Sequence, residues 1–296
     1  MTVVMKIMGG LASQMHKYSI GRRIADQCKT NLLLDISWFD KHSSTDTHRE
    51  FQLEKYKVRC AIANEDEISK VKSNYVQRKT TAAFGKFSIN YSLLKKTHYI
   101  KNLSSKNIST LINPVYIEGE WFGSSQIKDI KKDLQKDFSL QLPLNSNAQE
   151  LLDVIAGVNS VAIHIRRGDY ESNPVTSKVH FLTDLKYYLA AITQCKLVLE
   201  NPTFYVFSDD TKWVLDNFSK IDGNFYFIQN NEAYEDLHLI KNCKHQIISN
   251  SGFGWFGSWL NENPSKLTIA PKLWVKDLQL NASIQQELSD DKMVLM

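Results

Sequence analysis

The feature that most constrains the fold is a repeated alternation of short apolar runs with longer amphipathic segments. VVMKIM (3–8) leads into a helical segment that begins near Gln14, with Tyr18 and Ile24 on one face, and NLLLDI (31–36) is the next apolar run. Apolar runs separated by helical segments predict βαβ units and a largely parallel sheet. The first part of the chain is therefore predicted to be an α/β domain.

A second series of the same kind begins after a break in the pattern. VYIEG (115–119) is the last predicted strand of the first series, and the polar stretch QLPLNSNAQE (141–150) is predicted to be a linker. The strands predicted for the second series are VAIHI (161–165), TFYVF (203–207), FYFI (225–228), HQIIS (245–249) and LTIA (267–270). Residues 40–110 are poorly periodic and are predicted to be insertions and loops. We predict two α/β domains, 1–148 and 149–296.

The charge and the termini limit the class of protein. The net charge of +4 over 296 residues is mild, and a nucleic-acid-binding surface would be more basic. No apolar run reaches the length of about 18 residues that a membrane span needs, and the first residues lack the pattern of a secretory signal. The four cysteines are widely spaced, which favours free thiols in a reducing compartment. We predict a cytoplasmic protein and leave peripheral association with an anionic membrane surface open.

Polar residues collect where the predicted strands end. GGLASQ (9–14), RRGDY (166–170), SDD (208–210) and NSGFGW (250–255) each follow an apolar run. In open parallel sheets, ligands bind outside the carboxyl ends of the strands, where the strand order reverses. We therefore expect these four segments to contribute to one cleft.

The residue types at these strand ends suit a phosphate-bearing nucleotide. The planar fork of Arg166 matches a phosphate, and residues 249–251 precede a helical segment whose first N–H groups favour an anion. Asp209 can accept from the ring N–H groups of guanine. Structural alternatives stay open, because Arg167 and Asp169 can form a pair that only shapes the loop, and SDD can only cap the following helix.

Two other classes of function are weighed against this one. GFGWFG (252–257) matches the glycine pattern of nicotinamide-binding folds, but the acidic residue that should end the next strand is displaced to Asp277. Metal-binding spacings such as H-E-x-x-H are absent from the sequence, and His16, His164, His238 and His245 are scattered. Charge on a departing phosphate would then have to be neutralised by arginine and by helix dipoles.

Five motifs together resemble one enzyme family. They are GGLASQM (9–15), YIEGEWF (116–122), HIRRGDY (164–170), FYVFSDD (204–210) and DLHLIKNCKHQIISNSGFGWFGSWLN (236–261). In this order they resemble the α-1,2-fucosyltransferases of glycosyltransferase family 11. The likeness spans nearly the whole chain.

The resemblance implies an α/β fold of GT-B architecture, with two Rossmann-like domains and a cleft between them. It implies inverting, metal-independent transfer of L-fucose from GDP-β-L-fucose to the 2-hydroxyl of a galactose residue, in bacterial surface glycan synthesis of the O-antigen type. The acceptor glycan would lie on the first domain and GDP-fucose on the second, with no cofactor. A fucosyltransferase of another linkage and a catalytically silent nucleotide-sugar-binding protein are the alternatives.

The same resemblance implies roles for individual residues. Arg166 is the predicted catalytic residue, because it would stabilise the departing diphosphate. The predicted donor-binding residues are His164, Arg166, Arg167, Asp169, Ser208, Asp209, Ser249, Asn250, Ser251, Gly252 and Phe253. The residues predicted on the acceptor or reaction-centre side are Gly10, Leu11, Ser13 and Gln14.

This chain departs from the family pattern at several positions. Ala12 and Ser13 stand where the family usually has Gly and Asn, and Gly252, Gly254 and Phe256 stand where it has Ser, Ser and Trp. The base that accepts the proton of the acceptor hydroxyl is left open among five residues: Glu118, Glu120, His16, Asp169 and Glu171.

Overall fold

The computed structural model describes residues 2–40, 49–71, 98–101, 115–120, 122–289 and 293–296. The chain forms two compact units, Met1–Gln141 and Leu142–Met296. Each unit has its own parallel β-sheet.

The first unit is built on a five-stranded sheet in the order β3-β2-β1-β5-β4. Its strands are β1 (Val3–Lys6), β2 (Leu32–Asp35), β3 (Ala61–Ile62), β4 (His98–Lys101) and β5 (Val115–Glu118). β1 is central, with Val3 paired to Leu32 on one side and to Val115 on the other. The apolar side chains of β1 are inaccessible to solvent, which explains why this strand reads as an apolar run.

Helices α1 (Leu11–Gln27) and α2 (Lys131–Asp137) belong to the first unit, and residues 65–71 are also helical. α1 begins three residues before the predicted start at Gln14, because the chain turns tightly at Gly9. Gly9 has a φ of 83°, a conformation that glycine adopts without steric cost. The turn places the start of α1 directly behind the carboxyl end of β1.

The second unit has a six-stranded sheet in the order β11-β10-β9-β6-β7-β8. Its strands are β6 (Ser160–Ile165), β7 (Thr203–Ser208), β8 (Asn224–Phe227), β9 (His245–Ile248), β10 (Thr268–Ala270) and β11 (Val294–Leu295). Within this unit the order corresponds to the 3-2-1-4-5-6 arrangement of Rossmann folds. The order reverses between β6 and β9, which is where such folds bind ligands.

The helices of the second unit connect these strands. They are α3 (Ser146–Gly157), α4 (Gly168–Ser172), α5 (Thr176–Val179), α6 (Leu185–Val198), α7 (Thr211–Phe218), α8 (Ala233–Asn242), α9 (Gly252–Leu260) and α10 (Leu278–Ser289). Successive residues of β6 enter different cores: Val161 and Ile163 pack with residues of α6 and α7, and Ala162 packs with residues of α3 and α8. The sheet is therefore covered on both faces.

The predicted strands are all present, and the predicted linker is wrong in its second half. Asn145 caps α3 by accepting from the Ala148 N–H at 2.8 Å, and its own N–H groups donate to Glu235. Residues 146–150 are therefore the first turns of a helix, and the predicted division after residue 148 falls inside it.

The region predicted as insertions and loops contains two strands of the first sheet, β3 and β4. Residues 41–48, 72–97 and 102–110 of that region lie outside the described residues. β11 is also absent from the sequence prediction. The three missed strands have two to four residues each, too few for an alternating pattern to be distinctive.

Candidate functional site

The carboxyl ends of β6, β7 and β9 bring the predicted donor-side residues of the second unit together. β6 pairs with β7 on one side and with β9 on the other, so residues 166–170, 208–210 and 249–253 meet at one edge of the sheet. This edge includes the switch point of the strand order. We call this set the strand-end site.

Arg166 is held in the site by two carboxylates. Its Nη2 lies 2.7 Å from Asp169 Oδ1, and its Nη1 lies 2.8 Å from Asp209 Oδ2. A guanidinium carries five N–H donors, so two such contacts do not exhaust it. The Arg166 side chain is about one-fifth exposed, so it is oriented and still accessible.

Arg167 has a different environment, although it is the next residue. Its guanidinium carbon lies 4.3 Å from the centre of the Trp213 ring, and its Nη2 lies 2.7 Å from Glu171 Oε2. Asp210 is a further partner at 3.5 Å, and the residue is buried. Arg167 therefore shapes the loop. Its carboxylate partners are Glu171 and Asp210, whereas the alternative drawn from the sequence was a pair with Asp169.

Asp209 joins the ends of β6 and β7. Its Oδ1 accepts from the Arg167 backbone N–H at 2.9 Å, while Oδ2 pairs with Arg166. A Cβ atom on Gly168 would lie 2.6 Å from Asp209 Oδ2, so glycine is needed for this approach. Both carboxylate oxygens are thus engaged within the loop, and the predicted contact with guanine stays a prediction.

The other two residues of SDD complete the turn after β7. Ser208 Oγ accepts from the Asp210 N–H at 3.0 Å, and Asp210 Oδ1 accepts from the Trp213 N–H at 2.9 Å. Asp210 is therefore the N-cap of α7. The capping alternative considered for SDD applies to Asp210.

His164 lies buried at the end of β6, beside the Arg166 loop. Its Nδ1 is 3.0 Å from Ser249 Oγ, and its ring centre is 5.3 Å from that of Phe253. Burial lowers the pKa of His164 to about 4; Asp209 opposes this shift and Arg166 adds to it. His164 is therefore a neutral imidazole at pH 7, suited to hydrogen bonding.

The lowered pKa of His164 predicts a pH dependence of stability. Between its ordinary pKa of 6.5 and about 4, the unfolded chain binds the proton and the native chain does not, so acidification destabilises the native state across this window. We expect His164→Asn to flatten part of the fall in Tm from pH 6.5 to pH 4. Parallel Tm curves for the two proteins would contradict this, since all other titrating groups contribute to both.

The residues after β9 hold the loops around the site. Asn250 is buried; its Nδ2 donates to Phe181 O at 2.7 Å and to Trp274 O at 2.9 Å, and its Oδ1 accepts from Thr183 Oγ1 at 2.9 Å. Ser251 is the N-cap of α9 and accepts from the Phe253 N–H. The Asn250 side chain is thus engaged by the protein itself.

Gly252, Phe253 and Gly254 form the first turn of α9, and Gly254 touches the histidine. A Cβ atom on Gly254 would lie 2.8 Å from His164 Nδ1 and 3.1 Å from Ile248 Cβ. Gly252 and Phe253 are half-buried. The departure from the family's Ser at 254 therefore lets the imidazole lie against the helix.

We expect Gly254→Ala to displace His164 and to lower the unfolding free energy by about 1–3 kcal/mol, the usual cost of overpacking. The measurement is the Tm with and without GDP. Gly157→Ala is the matched control, because a Cβ atom there meets nothing within 4 Å. Equal Tm values for the two variants would contradict this packing argument.

Tyr170 of the strand-end site and His180 beside it have no role in the sequence prediction. The rings of Tyr170 and His180 stack at 4.4 Å, and Tyr170 Oη donates to Asn250 O at 3.1 Å. The Arg166 guanidinium carbon lies 5.7 Å from the Tyr170 ring centre. Tyr170 stands inside the HIRRGDY motif and could have been included, whereas nothing near His180 in the sequence marks it.

In the first unit, the predicted acceptor-side residues lie at the start of α1. Gly10 is the N-cap of α1, Leu11 is buried, and Ser13 is half-buried. Gln14 is inaccessible: its Nε2 donates to Gly9 O at 2.9 Å and Glu50 O at 2.8 Å, and its Oε1 accepts from the Gln52 N–H. Gln14 therefore connects two loops, and its predicted reaction-centre role stays a prediction.

Two ion pairs of the first unit involve residues at or near the carboxyl ends of β1 and β5, and their lysines were not singled out in the sequence. Lys6 Nζ lies 3.0 Å from Glu118 Oε1, and the buried Lys17 places its Nζ 2.7 Å from Glu120 Oε2. His16 is buried, and burial lowers its pKa to about 3. Its Nε2 is 3.3 Å from Gly123 O. Glu120 is the more exposed of the two carboxylates, at 65%.

Within the described ranges, no group of three or more His, Cys, Asp or Glu residues is arranged to hold a metal ion. In the same part of the chain, no helix combines the length and apolar character needed to cross a membrane.

Comparison with known sequences gives one family. The family model for glycosyl transferase family 11 matches residues 89–288. An α-1,2-colitosyltransferase of Escherichia coli is 32% identical over 95% of this chain and 94% of its own length. The O-antigen biosynthesis glycosyltransferase WbnK of Escherichia coli is 31% identical over 90% and 93%. Galactoside α-(1,2)-fucosyltransferase 1 of mouse is 27% identical over 44% of this chain and 37% of the mouse protein.

Solved structures give the same fold at low sequence identity. The α-1,6-fucosyltransferase NodZ, from a crystal soaked with GDP-fucose, has a TM-score of 0.53 at 12% identity and covers 94% of this chain and 95% of NodZ. FUT1 of Arabidopsis thaliana, in complex with GDP, has a TM-score of 0.53 at 10% identity and covers 90% of this chain and 69% of FUT1. The predicted α/β fold of the GT-B class is confirmed.

Proposed function

Because the chain belongs to glycosyltransferase family 11, we propose that it transfers L-fucose from GDP-β-L-fucose to the 2-hydroxyl of a galactose residue in a bacterial surface glycan. The enzyme class, a glycosyltransferase, is that of the family. The donor, the linkage and the acceptor are our proposal, and so is a cytoplasmic location. The name of WbnK, an O-antigen biosynthesis enzyme similar over nearly the whole chain, supports the pathway.

The observation that carries the proposal is the oriented guanidinium of Arg166 at the switch point of the second sheet. Two aspartates fix its fork, and its other N–H donors are available to the diphosphate of the donor. Four carboxylates already pair with Arg166 and Arg167. We therefore expect the diphosphate to be bound mainly through directed hydrogen bonds with Arg166 and with the first N–H groups of α9, and less through attraction to net positive charge.

The proposed step is an inverting displacement at C1 of fucose. The bond between C1 and the phosphate oxygen breaks, the acceptor oxygen bonds to C1, and GDP leaves with the electron pair. Arg166 stabilises the charge that develops on the leaving diphosphate, so no metal ion is required. His164 is a neutral donor-side contact.

A base must receive the proton of the acceptor hydroxyl. Asp169 and Glu171 are engaged by Arg166 and Arg167, and His16 is buried beside a carbonyl. Glu118 and Glu120 are engaged in the same way by Lys6 and Lys17. The base therefore stays open among the five residues that the sequence offers.

A second donor is favoured by one specific similarity. The relative with 32% identity over nearly the whole chain is a colitosyltransferase. Colitose is fucose without its 3-hydroxyl, so the two donors differ by one oxygen atom. A site that hydrogen-bonds this hydroxyl rejects the deoxy sugar by about 10⁴–10⁵, whereas a site that leaves it free discriminates weakly.

One experiment tests the donor, the metal and the linkage. The protein is incubated with EDTA, a panel of galactosides and either GDP-fucose or GDP-colitose, and the product linkage is determined by NMR. We expect an α-1,2-linked fucoside, formed at the same rate with and without EDTA. A rate restored only by added Mg²⁺ or Mn²⁺ would contradict metal independence.

The other outcomes separate the alternatives. A different linkage would indicate a fucosyltransferase of another specificity, and preference for GDP-colitose would indicate the second donor. Binding of GDP-fucose without any release of GDP would indicate a silent nucleotide-sugar-binding protein.

A further inference from the structure

Exposed apolar side chains are concentrated on two segments of the second unit, 175–182 and 272–280. These are large aliphatic residues, whose side chains are unfavourably exposed to water. Val175 and Leu278 are each 74% exposed. The six residues are Val175, Val179, Leu182, Leu273, Leu278 and Leu280, which we call the apolar strip.

The two segments lie side by side, so the residues of the strip are neighbours in space. The Lys276 N–H donates to Val179 O at 2.8 Å, and the Phe181 N–H donates to Trp274 O at 3.2 Å. Between these bonds, His180 and Val275 form an antiparallel bridge. The antiparallel arrangement places Leu182 near Leu273 and the start of α5 near the start of α10.

Buried residues and hydrogen bonds hold the backbone of the strip in place. Trp274 and Val275 are buried, and their N–H groups donate to Asn281 Oδ1 at 2.8 and 3.3 Å. Asn250 Nδ2 donates to two carbonyls of the segments, those of Phe181 and Trp274. The outward side chains are therefore presented by a hydrogen-bonded platform, and their exposure is not that of a frayed end.

The charged residues of the two segments are mostly basic. Lys178, Lys272 and Lys276 are exposed, and the acidic residue of these segments is Asp277. Asp277 is occupied in part, because its Oδ1 accepts from the Leu280 N–H at 2.8 Å in the first turn of α10. Apolar side chains bordered by lysines suit a surface with an anionic layer above an apolar one.

We propose that the apolar strip binds the surface of an anionic lipid bilayer. The aliphatic side chains would enter the boundary between headgroups and acyl chains, and the lysines would bind anionic headgroups. A second copy of the chain is a poorer occupant, because a twofold contact between two strips would bring the same lysines together.

The two segments that carry the strip are connected to the strand-end site through His180 and through Asn250. His180 belongs to the strip segment 175–182, and its ring stacks on Tyr170 next to Arg166. Binding a membrane through the strip would therefore hold the Arg166 loop close to the bilayer surface. The inference does not depend on the sugar donor, since it concerns residues outside the strand-end site.

Vesicle co-sedimentation of the full chain tests the proposal. The vesicles are phosphatidylcholine alone, or an equal molar mixture of phosphatidylcholine and phosphatidylglycerol. We expect binding to the mixed vesicles that falls at least about tenfold on replacing Lys178 and Lys272 with alanine, since each lysine near the surface contributes substantially to binding. Leu278→Glu should also abolish binding, and an acidic residue in the first turn of α10 is compatible with folding.

The matched control is Leu197→Glu, which changes a 75% exposed leucine in the last turn of α6, outside the strip. It should bind the mixed vesicles like the unchanged protein, and all variants should keep their transfer rate on a soluble galactoside. The proposal is overturned by equal binding to both vesicle types, by Leu278→Glu binding unchanged, or by size-exclusion data in which Leu278→Glu converts a dimer into a monomer. None of these outcomes depends on which sugar is transferred.

Discussion

Replacing Arg166 with alanine is expected to lower kcat by about 10²–10³, the usual effect of removing one donor that stabilises charge in the transition state. The structural reason is that Arg166 presents an oriented, accessible guanidinium at the switch point, held by Asp169 and Asp209. The measurement is GDP release with GDP-fucose and a galactoside acceptor. Arg166→Lys should retain part of the rate, because a single ammonium keeps the charge and loses the fork.

The neighbouring arginine is the matched control for this prediction. Arg167 is buried against Trp213, so Arg167→Ala should lower the free energy of unfolding by about 1–3 kcal/mol. At a temperature where both variants are folded, Arg167→Ala should lose far less kcat than Arg166→Ala. Full activity in a folded Arg166→Ala protein would remove the catalytic role, and equal losses of kcat would remove the distinction between the two arginines.

Replacing Asn250 with alanine is expected to cost about 2–4 kcal/mol of unfolding free energy. The substitution removes the Asn250 hydrogen bonds to the carbonyl of Phe181, the hydroxyl of Thr183 and the carbonyl of Trp274, of which the last keeps the Phe181 N–H as a partner. Asn250→Asp should be worse at pH 7, although it is nearly isosteric. The buried carboxylate would then lie against two carbonyl oxygens to which it cannot donate a hydrogen bond.

Thermal unfolding across pH tests the second prediction. The Asn250→Asp protein should regain stability on mild acidification, because the protonated carboxyl can again donate one hydrogen bond. Asn263→Asp is a contrasting change, since Asn263 is only partly buried and donates to a single carbonyl, that of Lys244. If Asn250→Asp and Asn263→Asp lowered Tm equally, the proposed role of Asn250 would be wrong.

Much of the fold could be predicted because the central strands of both sheets are buried. Such strands read as continuous apolar runs, and the runs at β1, β6 and β9 are short and bounded by polar residues. β3 could not be predicted in this way, because its two residues are exposed at the edge of the sheet. The start of α3 was mistaken for a linker because its first turn faces solvent and is polar.

The site was predictable in position and less so in the roles of individual residues. Strand ends in the sequence locate Arg166, Asp209 and Asn250, since parallel strands end at the same edge. The partners of Asn250 lie 69 and 24 residues away in surface loops, so no local pattern reveals that its amide is already engaged. His180 was missed for the same reason, because its contact with Tyr170 depends on the antiparallel pairing of two loops.

The two aspartates that hold Arg166 also determine when the entropy of this side chain is lost. A free arginine gives up about 1.5–2 kcal/mol of rotamer freedom when it becomes ordered. Here that loss occurs during folding, since Asp169 and Asp209 fix the guanidinium before any donor is bound. This entropy cost therefore lowers the free energy of unfolding and does not add to the activation barrier. Loosening either aspartate would move the same cost into each catalytic turnover.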